Sequence, residues 1–355
     1  MLDRGGKKWR VLLAYLIGEM LGENYKISHT NIINLLFVGE IIHNATLITD
    51  DLADKSEKRR GKPCVHLLYG EDSALMTGLG LLFMPFRYFM NNLLEKDELL
   101  INKESNYYNQ VYNDIMSVYL DELTTVNLGQ VLDTEMKYTR IPQTDTCLDV
   151  FAAKTCVLPR MLCKWVINLI DKDKLKANTS IDDLRKDILI GVDNISLAMQ
   201  INDDLLNIKN SAVSENKGIV GEDIFEGKQS IMVLHSLNKG LIKDNTLRNI
   251  KEENNYDLNN INNINTNTNP NLNLLKGKSK RLYEIILLKT KDQSYINEAI
   301  NIMHELGSIE YAELKKEELY FKGVKQFENI KHKVNNNEIV KDIEDLFYYL
   351  IKDRI

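Results

Sequence analysis

The stretch Gly39-Glu40-Ile41-Ile42-His43-Asn44-Ala45-Thr46-Leu47-Ile48-Thr49-Asp50-Asp51-Leu52-Ala53-Asp54 decides the fold. Its apolar residues recur at three and four positions, the period of a helix, yet it closes on three carboxylates. Asp50 and Asp54 stand one turn apart and project from the same face. Ionised carboxylates crowded against apolar neighbours repel one another and are poorly solvated unless a divalent ion bridges them. A second cluster, Asp203-Asp204-Leu205-Leu206-Asn207, follows about 150 residues later in a similar apolar context. One acidic run on a helix is ordinarily a solvated face, but two in matching apolar surroundings point to a shared cation. Oxygen ligands, without His or Cys at metal-ligand spacing, favour Mg²⁺.

The same helical period runs through residues 28–48, 110–136 and 181–207, and the chain holds only 5 prolines among 355 residues. We find no series of alternating strands, so the predicted class is all-α, a single large helical domain. A net charge of -6 argues against a nucleic-acid partner, which wants a basic face. Cys64, Cys147, Cys156 and Cys163 show neither metal nor redox spacing. They suit a reducing compartment, and a cytoplasmic protein is expected, an organelle remaining open. No apolar run reads as a transmembrane segment. Residues 254–273 contain 11 Asn and no helical period, which predicts a disordered insert between helices.

Basic residues follow the acids closely. Arg59-Arg60-Gly61-Lys62-Pro63 comes directly after the first cluster. A polyanionic head group explains both, a cation on the carboxylates taking some phosphate oxygens and the arginine forks taking others. The plainer alternative is that Arg59 and Arg60 pair with Asp54 and Glu57, worth under about 1 kcal/mol each if exposed. Gly5-Gly6-Lys7-Lys8-Trp9-Arg10 leads into a helix whose first turn offers N–H groups with Lys7 and Arg10 on neighbouring faces, a diphosphate cradle. Lys154-Thr155, Gln200 and Gly221-Glu222-Asp223-Ile224-Phe225-Glu226-Gly227-Lys228 mean little singly and gain weight in company.

Taken in order from Gly5 to about Tyr311, these segments resemble the trans-isoprenyl diphosphate synthase family. Gly5 to Arg10 is similar to its Gly-Gly-Lys-Arg-x-Arg, Ile42 to Leu47 leads into its first Asp-rich motif, and Arg59-Arg60-Gly61 resembles its Arg-Arg-Gly. Gly129-Gln130-Val131-Leu132-Asp133 is similar to its Gly-Gln-x-x-Asp and Lys154-Thr155 to its Lys-Thr. Gln200 to Asp204 and Glu226-Gly227-Lys228 resemble its second Asp-rich region. The resemblance implies an isoprenoid synthase fold around a central substrate cavity, a homodimer, and Mg²⁺ held by Asp50, Asp51, Asp54 and Asp203. It implies that Arg59, Lys154, Thr155, Gln200 and Lys228 bind the diphosphate of an allylic substrate. Lys7, Arg10, His43 and Arg60 would hold isopentenyl diphosphate. Asp50, Asp51, Asp54, Lys154 and Asp203 are the expected catalytic set, and no Ser-His or Cys-His pair is expected to act.

Ala45 and Thr46 are small where family members stopping at fifteen carbons place an aromatic ring, so the resemblance implies a product of at least twenty carbons, as in eukaryotic geranylgeranyl diphosphate synthases. Phe83, Phe86, Tyr88 and Phe89 are candidates for the tunnel floor. Four features depart from the pattern. A helix ordinarily precedes the Gly-Gly-Lys motif, so a truncated start is expected. Asn207 replaces an Asp, its amide oxygen still able to accept a bond from metal-bound water. Lys217 is displaced by one residue, with Gly218 in its place, and Leu79 stands where relatives carry Asp. A longer-chain or farnesyl synthase, a class I terpene cyclase and a non-catalytic subunit of a heteromeric synthase stay open at this point.

Overall fold

Helix α1 (Trp9–Leu21) is followed by α2 (His29–Asp54), whose start is fixed by Ser28: its hydroxyl oxygen accepts from the Asn31 N–H at 3.3 Å. The buried Asp97 carboxylate secures that corner, accepting from the Ser28 N–H, the Ser28 hydroxyl and the Asn31 amide at 2.7–2.9 Å. A two-residue hairpin, β1 (Lys58–Arg59) against β2 (Lys62–Pro63), carries both arginines of the basic motif. Next come α3 (Val65–Tyr69), α4 (Glu71–Tyr88), a π-helical turn at Phe89–Leu94, and α5 (Glu98–Ile101). The long α6 (Ser105–Met136), α7 (Thr144–Thr155), α8 (Val157–Leu169) and α9 (Ile181–Lys209) form the middle of the chain. Short helices α10 (Glu222–Phe225), α11 (Ile231–Lys239) and α12 (Pro270–Leu274) lead to α13 (Gly277–Leu288), α14 (Gln293–Glu305), α15 (Ser308–Ile330) and α16 (Ile339–Ile351). This computed structural model describes residues 5–22, 24–101, 105–136, 141, 144–171, 180–209, 220–241 and 270–352.

The all-α expectation holds, and the three periodic stretches fall within or at the cap of α2, α6 and α9. One core runs through the helices, with α8 packed on α1, α2, α6 and α9. Trp165 of α8 is fully buried and donates its indole N–H to the Ile115 carbonyl at 3.0 Å. Phe86 stacks on Tyr119 with centroids 3.9 Å apart, fixing α4 against α6. Where α6, α8 and α9 meet, Lys164 bonds Glu122 at 2.6 Å and Arg160 faces Asp193 at 3.5 Å.

Two expectations need correction. Helix α2 is long and apolar enough to cross a bilayer, with an 18-residue window of mean hydropathy 1.5, although 56% of that window is buried inside the protein. A helix lining a large core passes the same test as a membrane span, because both are apolar on most sides. Of the expected insert, residues 254–269 lie outside the described residues, and 270–273 belong to α12, which Pro270 opens from the position where its missing N–H costs nothing. The two ends of the intervening stretch meet: Leu241 bridges Leu275, and the Lys276 N–H donates to the Gly240 carbonyl at 3.2 Å. Lys217 and Gly218 also lie outside the described residues.

Candidate functional site

The helices line a cavity of about 1660 Å³ whose wall carries carboxylates and cations as well as apolar side chains. Asp50 and Asp54 reach it from α2 and Asp203 from α9, two helices between which α8 packs. Lys154 stands among the acids, its ammonium 3.0 Å from Asp50 and 2.9 Å from Asp133. Burial pushes the Asp50 carboxyl upward, but the charges of Lys154, Arg59 and Lys228 outweigh it and hold it below the usual carboxylate range. Burial likewise opposes the Lys154 charge, which Asp50 and Asp133 more than restore. Gly129 makes this meeting possible. A Cβ there would sit 2.6 Å from the Ala153 carbonyl group and 2.9 Å from the Lys154 nitrogen, so only glycine lets α6 bring Asp133 this close to α7.

Asp51, expected among the metal ligands, turns away from the cavity. It is buried at 1% exposure and accepts from Arg59 Nε at 2.7 Å and again from the same guanidinium's terminal nitrogen. Neighbouring positions on a helix do not share a face. Asp51 therefore aims Arg59, which lines the cavity, while Asp50 and Asp54 point into it. The second cluster repeats this division. Asp203 lines the cavity, whereas buried Asp204 accepts from Lys228 at 2.7 Å and from the Gln200 amide at 2.9 Å. Thr155 donates to Gln200 at 3.2 Å, so Thr155, Gln200 and Lys228 reach the cavity wall as one bonded chain. Asn207 is also redirected: its amide oxygen accepts from the Asp223 N–H at 3.3 Å, tying down the turn that carries Asp223 and Lys228.

A second group of cations comes from the glycine-pair segment and the hairpin turn. Lys7, Arg10, His43 and Arg60 all line the cavity. Arg10 lies 3.3 Å from His43 Nε2 and 4.8 Å over the Trp9 ring. Burial first, then the charges of Arg10, Arg60 and Arg59, keep His43 well below the ordinary imidazole value, so it is neutral and accepts from Arg10. Arg60 donates to the Gly5 carbonyl. Gly6 has φ +123°, a backbone conformation that L side chains rarely adopt, and it lies against the Arg60 guanidinium.

Along the apolar wall, Thr46 faces the cavity but Ala45 does not. Ala45 is fully buried, its carbonyl oxygen 3.6 Å from where a Gly78 Cβ would lie, so it belongs to the contact between α2 and α4. Of the expected floor residues only Phe83 lines the cavity, beside Leu79 and Leu82. Phe86 and Phe89 are core, and Tyr88 is 60% exposed elsewhere. Phe86 acts one layer back, supporting Tyr119, which does line the cavity.

Sequence reasoning assigned no role to Gln130, Asp133, Glu226 or Tyr349, all of which line the cavity. Gln130 and Asp133 were legible as part of a motif. Glu226 accepts from Ser56 at 3.0 Å, and burial, with Asp223, Glu222 and Asp54 nearby, raises it to about 7. Tyr349 comes from the last helix, and nothing in its local pattern marks it. One Ser-His contact does occur, Ser308 to His235 at 2.9 Å, but Ser308 has no exposure and joins α11 to α15.

The polyprenyl synthetase family model matches residues 1–267. The chain belongs to the polyprenyl synthetase family. It is 28% identical over 315 residues to a short chain isoprenyl diphosphate synthase of Methanocaldococcus jannaschii, covering 88% of this chain and 76% of the relative. It is 27% identical over 245 residues to the geranylgeranyl diphosphate synthase of Methanosarcina mazei, covering 69% and 67%. The crystal structure of geranylgeranyl pyrophosphate synthase from Corynebacterium glutamicum, complexed with isoprenyl diphosphate and magnesium, superposes with a TM-score of 0.71 at 17% identity, covering 100% of this chain and 88% of that one. The fold of this polyprenyl synthetase family member is the isoprenoid synthase fold.

The acidic group fits a hard divalent cation. Asp50, Asp54 and Asp203 offer only carboxylate oxygens. Among the described residues no three His, Cys, Asp or Glu side chains close into a cage by themselves. Oxygen-only donors such as these three carboxylates suit a hard ion such as Mg²⁺.

Proposed function

We propose that this protein is a Mg²⁺-dependent prenyltransferase that condenses isopentenyl diphosphate with allylic diphosphates, head to tail and trans, with geranylgeranyl diphosphate as product. The observation that carries this reading is the presence of two cationic groups on one cavity: Lys154, Arg59 and Lys228, each paired with a carboxylate, and Lys7, Arg10 and Arg60 beside His43 and the glycine pair. Two diphosphate-binding groups on one cavity that also has an apolar wall suit two prenyl substrates. A cyclase that ionises a single substrate has no use for the second cluster. Relatives named as short chain and geranylgeranyl diphosphate synthases support the assignment.

In this reading Asp50, Asp54 and Asp203 hold Mg²⁺, which would stabilise the negative charge developing on the departing diphosphate. Lys154, Arg59 and Lys228 aim at the same charge, and their carboxylate partners keep them in place before substrate arrives. Asp51 and Asp204 are positioning residues for Arg59 and Lys228. The allylic tail lies along Thr46, Phe83 and Tyr119, where few groups are available to trap a carbocation. His43, held neutral, assists Arg10 at the isopentenyl diphosphate site without adding charge. A homodimer is supported by exposed apolar side chains on α4 (Met76, 63%; Met84, 71%) and α6 (Leu128, 59%; Val131, 51%).

Purified protein incubated with labelled isopentenyl diphosphate and dimethylallyl, geranyl or farnesyl diphosphate, with and without Mg²⁺, tests the assignment. The expected result is a twenty-carbon diphosphate that forms only with the metal. Hydrocarbon released from one allylic substrate alone means a cyclase, and silence with every primer means a non-catalytic subunit.

A further inference from the structure

Among the described residues, Tyr349 is the only one C-terminal to Lys228 that lines the cavity. Helices α13 to α15 contribute nothing to that surface, yet α16 places one aromatic ring on it. The placement is anchored. Neighbouring Phe347, Leu350 and Ile351 are buried, and Phe347 meets Phe327 edge-on with centroids 5.2 Å apart. Tyr349 itself is 50% exposed, and the Lys7 ammonium lies 5.9 Å over its ring centroid. Each cation of the second group thereby has a local support. Arg10 has the Trp9 ring and His43, Arg60 has the Gly5 carbonyl, and Lys7 has Tyr349.

A lysine carries a flexible four-carbon stem and loses much rotamer freedom when it grips a phosphate. A ring face that attracts the ammonium confines part of that freedom beforehand. We propose that Tyr349 is a positioning residue for the second, non-allylic diphosphate, acting through its ring face on Lys7. The proposal rests on the function proposed above and extends it to the last helix, where no motif resides.

The test is steady-state kinetics on the full chain, comparing Tyr349→Ala, Tyr349→Phe and Lys7→Ala with the double variant Lys7→Ala/Tyr349→Ala. Tyr349→Ala is expected to raise KM for isopentenyl diphosphate roughly three- to tenfold, the size of an exposed to partly desolvated cation–π contact. KM for the allylic substrate, kcat and Tm stay near wild type. Tyr349→Phe restores the wild-type KM, and Tyr349→Ala adds nothing once Lys7 is gone. Equal rises in both KM values, a loss of Tm that accounts for the effect, or a Phe variant as weak as Ala each overturn the proposal. A wild-type protein that does not condense isopentenyl diphosphate at all overturns the functional reading instead.

Discussion

Asp50 and Asp51 are adjacent, chemically identical and placed in different environments. Asp50 opens on the cavity beside Lys154, and Asp51 is sealed behind Arg59. Replacing each by Asn separates the two roles. Asp50→Asn is expected to lower kcat at least tenfold and raise the Mg²⁺ concentration for half-maximal rate, because an amide is a poorer ligand for a hard cation. Asp51→Asn keeps an acceptor for Arg59 but removes the charge, and is expected to cost about 1–3 kcal/mol of stability with the Mg²⁺ requirement unchanged. Thermal melts and a metal titration of the rate check both outcomes. This division was available in the sequence: helical geometry turns neighbouring residues about 100° apart, so the three acids never formed one set. Pairing partners were not available, because Arg59 and Lys228 reach their acids across chain reversals that no spacing rule encodes.

At the level of the element, the same rotation distinguishes Thr46 from Ala45 on α2. Thr46 lies one turn before Asp50 on the cavity face, and Ala45 is turned into the contact with α4. Thr46→Phe is therefore expected to shorten the main product by one isoprene unit or more, read on a product chromatogram. Ala45→Phe inserts a ring where helix backbones touch and is expected to destabilise the protein by about 1–3 kcal/mol. A clean shift of product length in Ala45→Phe with unchanged Tm would show that the helix contact yields and that Ala45 reaches the tunnel. The helices were legible because the apolar period is sustained over long stretches and prolines are few. The floor was not, since Phe83, Phe86 and Phe89 carry equal apolar weight and only packing shows that Phe83 alone borders empty space.

Across the whole molecule, stability should carry a signature of the buried junction of α6, α8 and α9. Burial, opposed by Arg160 and reinforced by Glu122, raises Asp193 from 3.8 to about 6. The folded state thus keeps a proton that the unfolded chain has already released, and stability falls as pH rises from about 4 to 6. Melting curves across that range should show a shallower decline for Asp193→Asn than for wild type, and parallel declines would remove Asp193 as the source. The fold class and most site residues were readable because the motifs recur in order on apolar helices. The contribution of α16 was not, because it depends on how the end of the chain packs on α1. A last consequence comes from the pairing of Leu241 with Leu275. Since the chain leaves and re-enters at one point, loop-closure cost changes by only about 0.6 kcal/mol per doubling of whatever lies between. Replacing residues 245–268 by a short Gly-Ser link is expected to leave rate constants and Tm unaltered. A repetitive asparagine tract in the gene is then free to expand or contract over generations while the prenyl chemistry continues undisturbed.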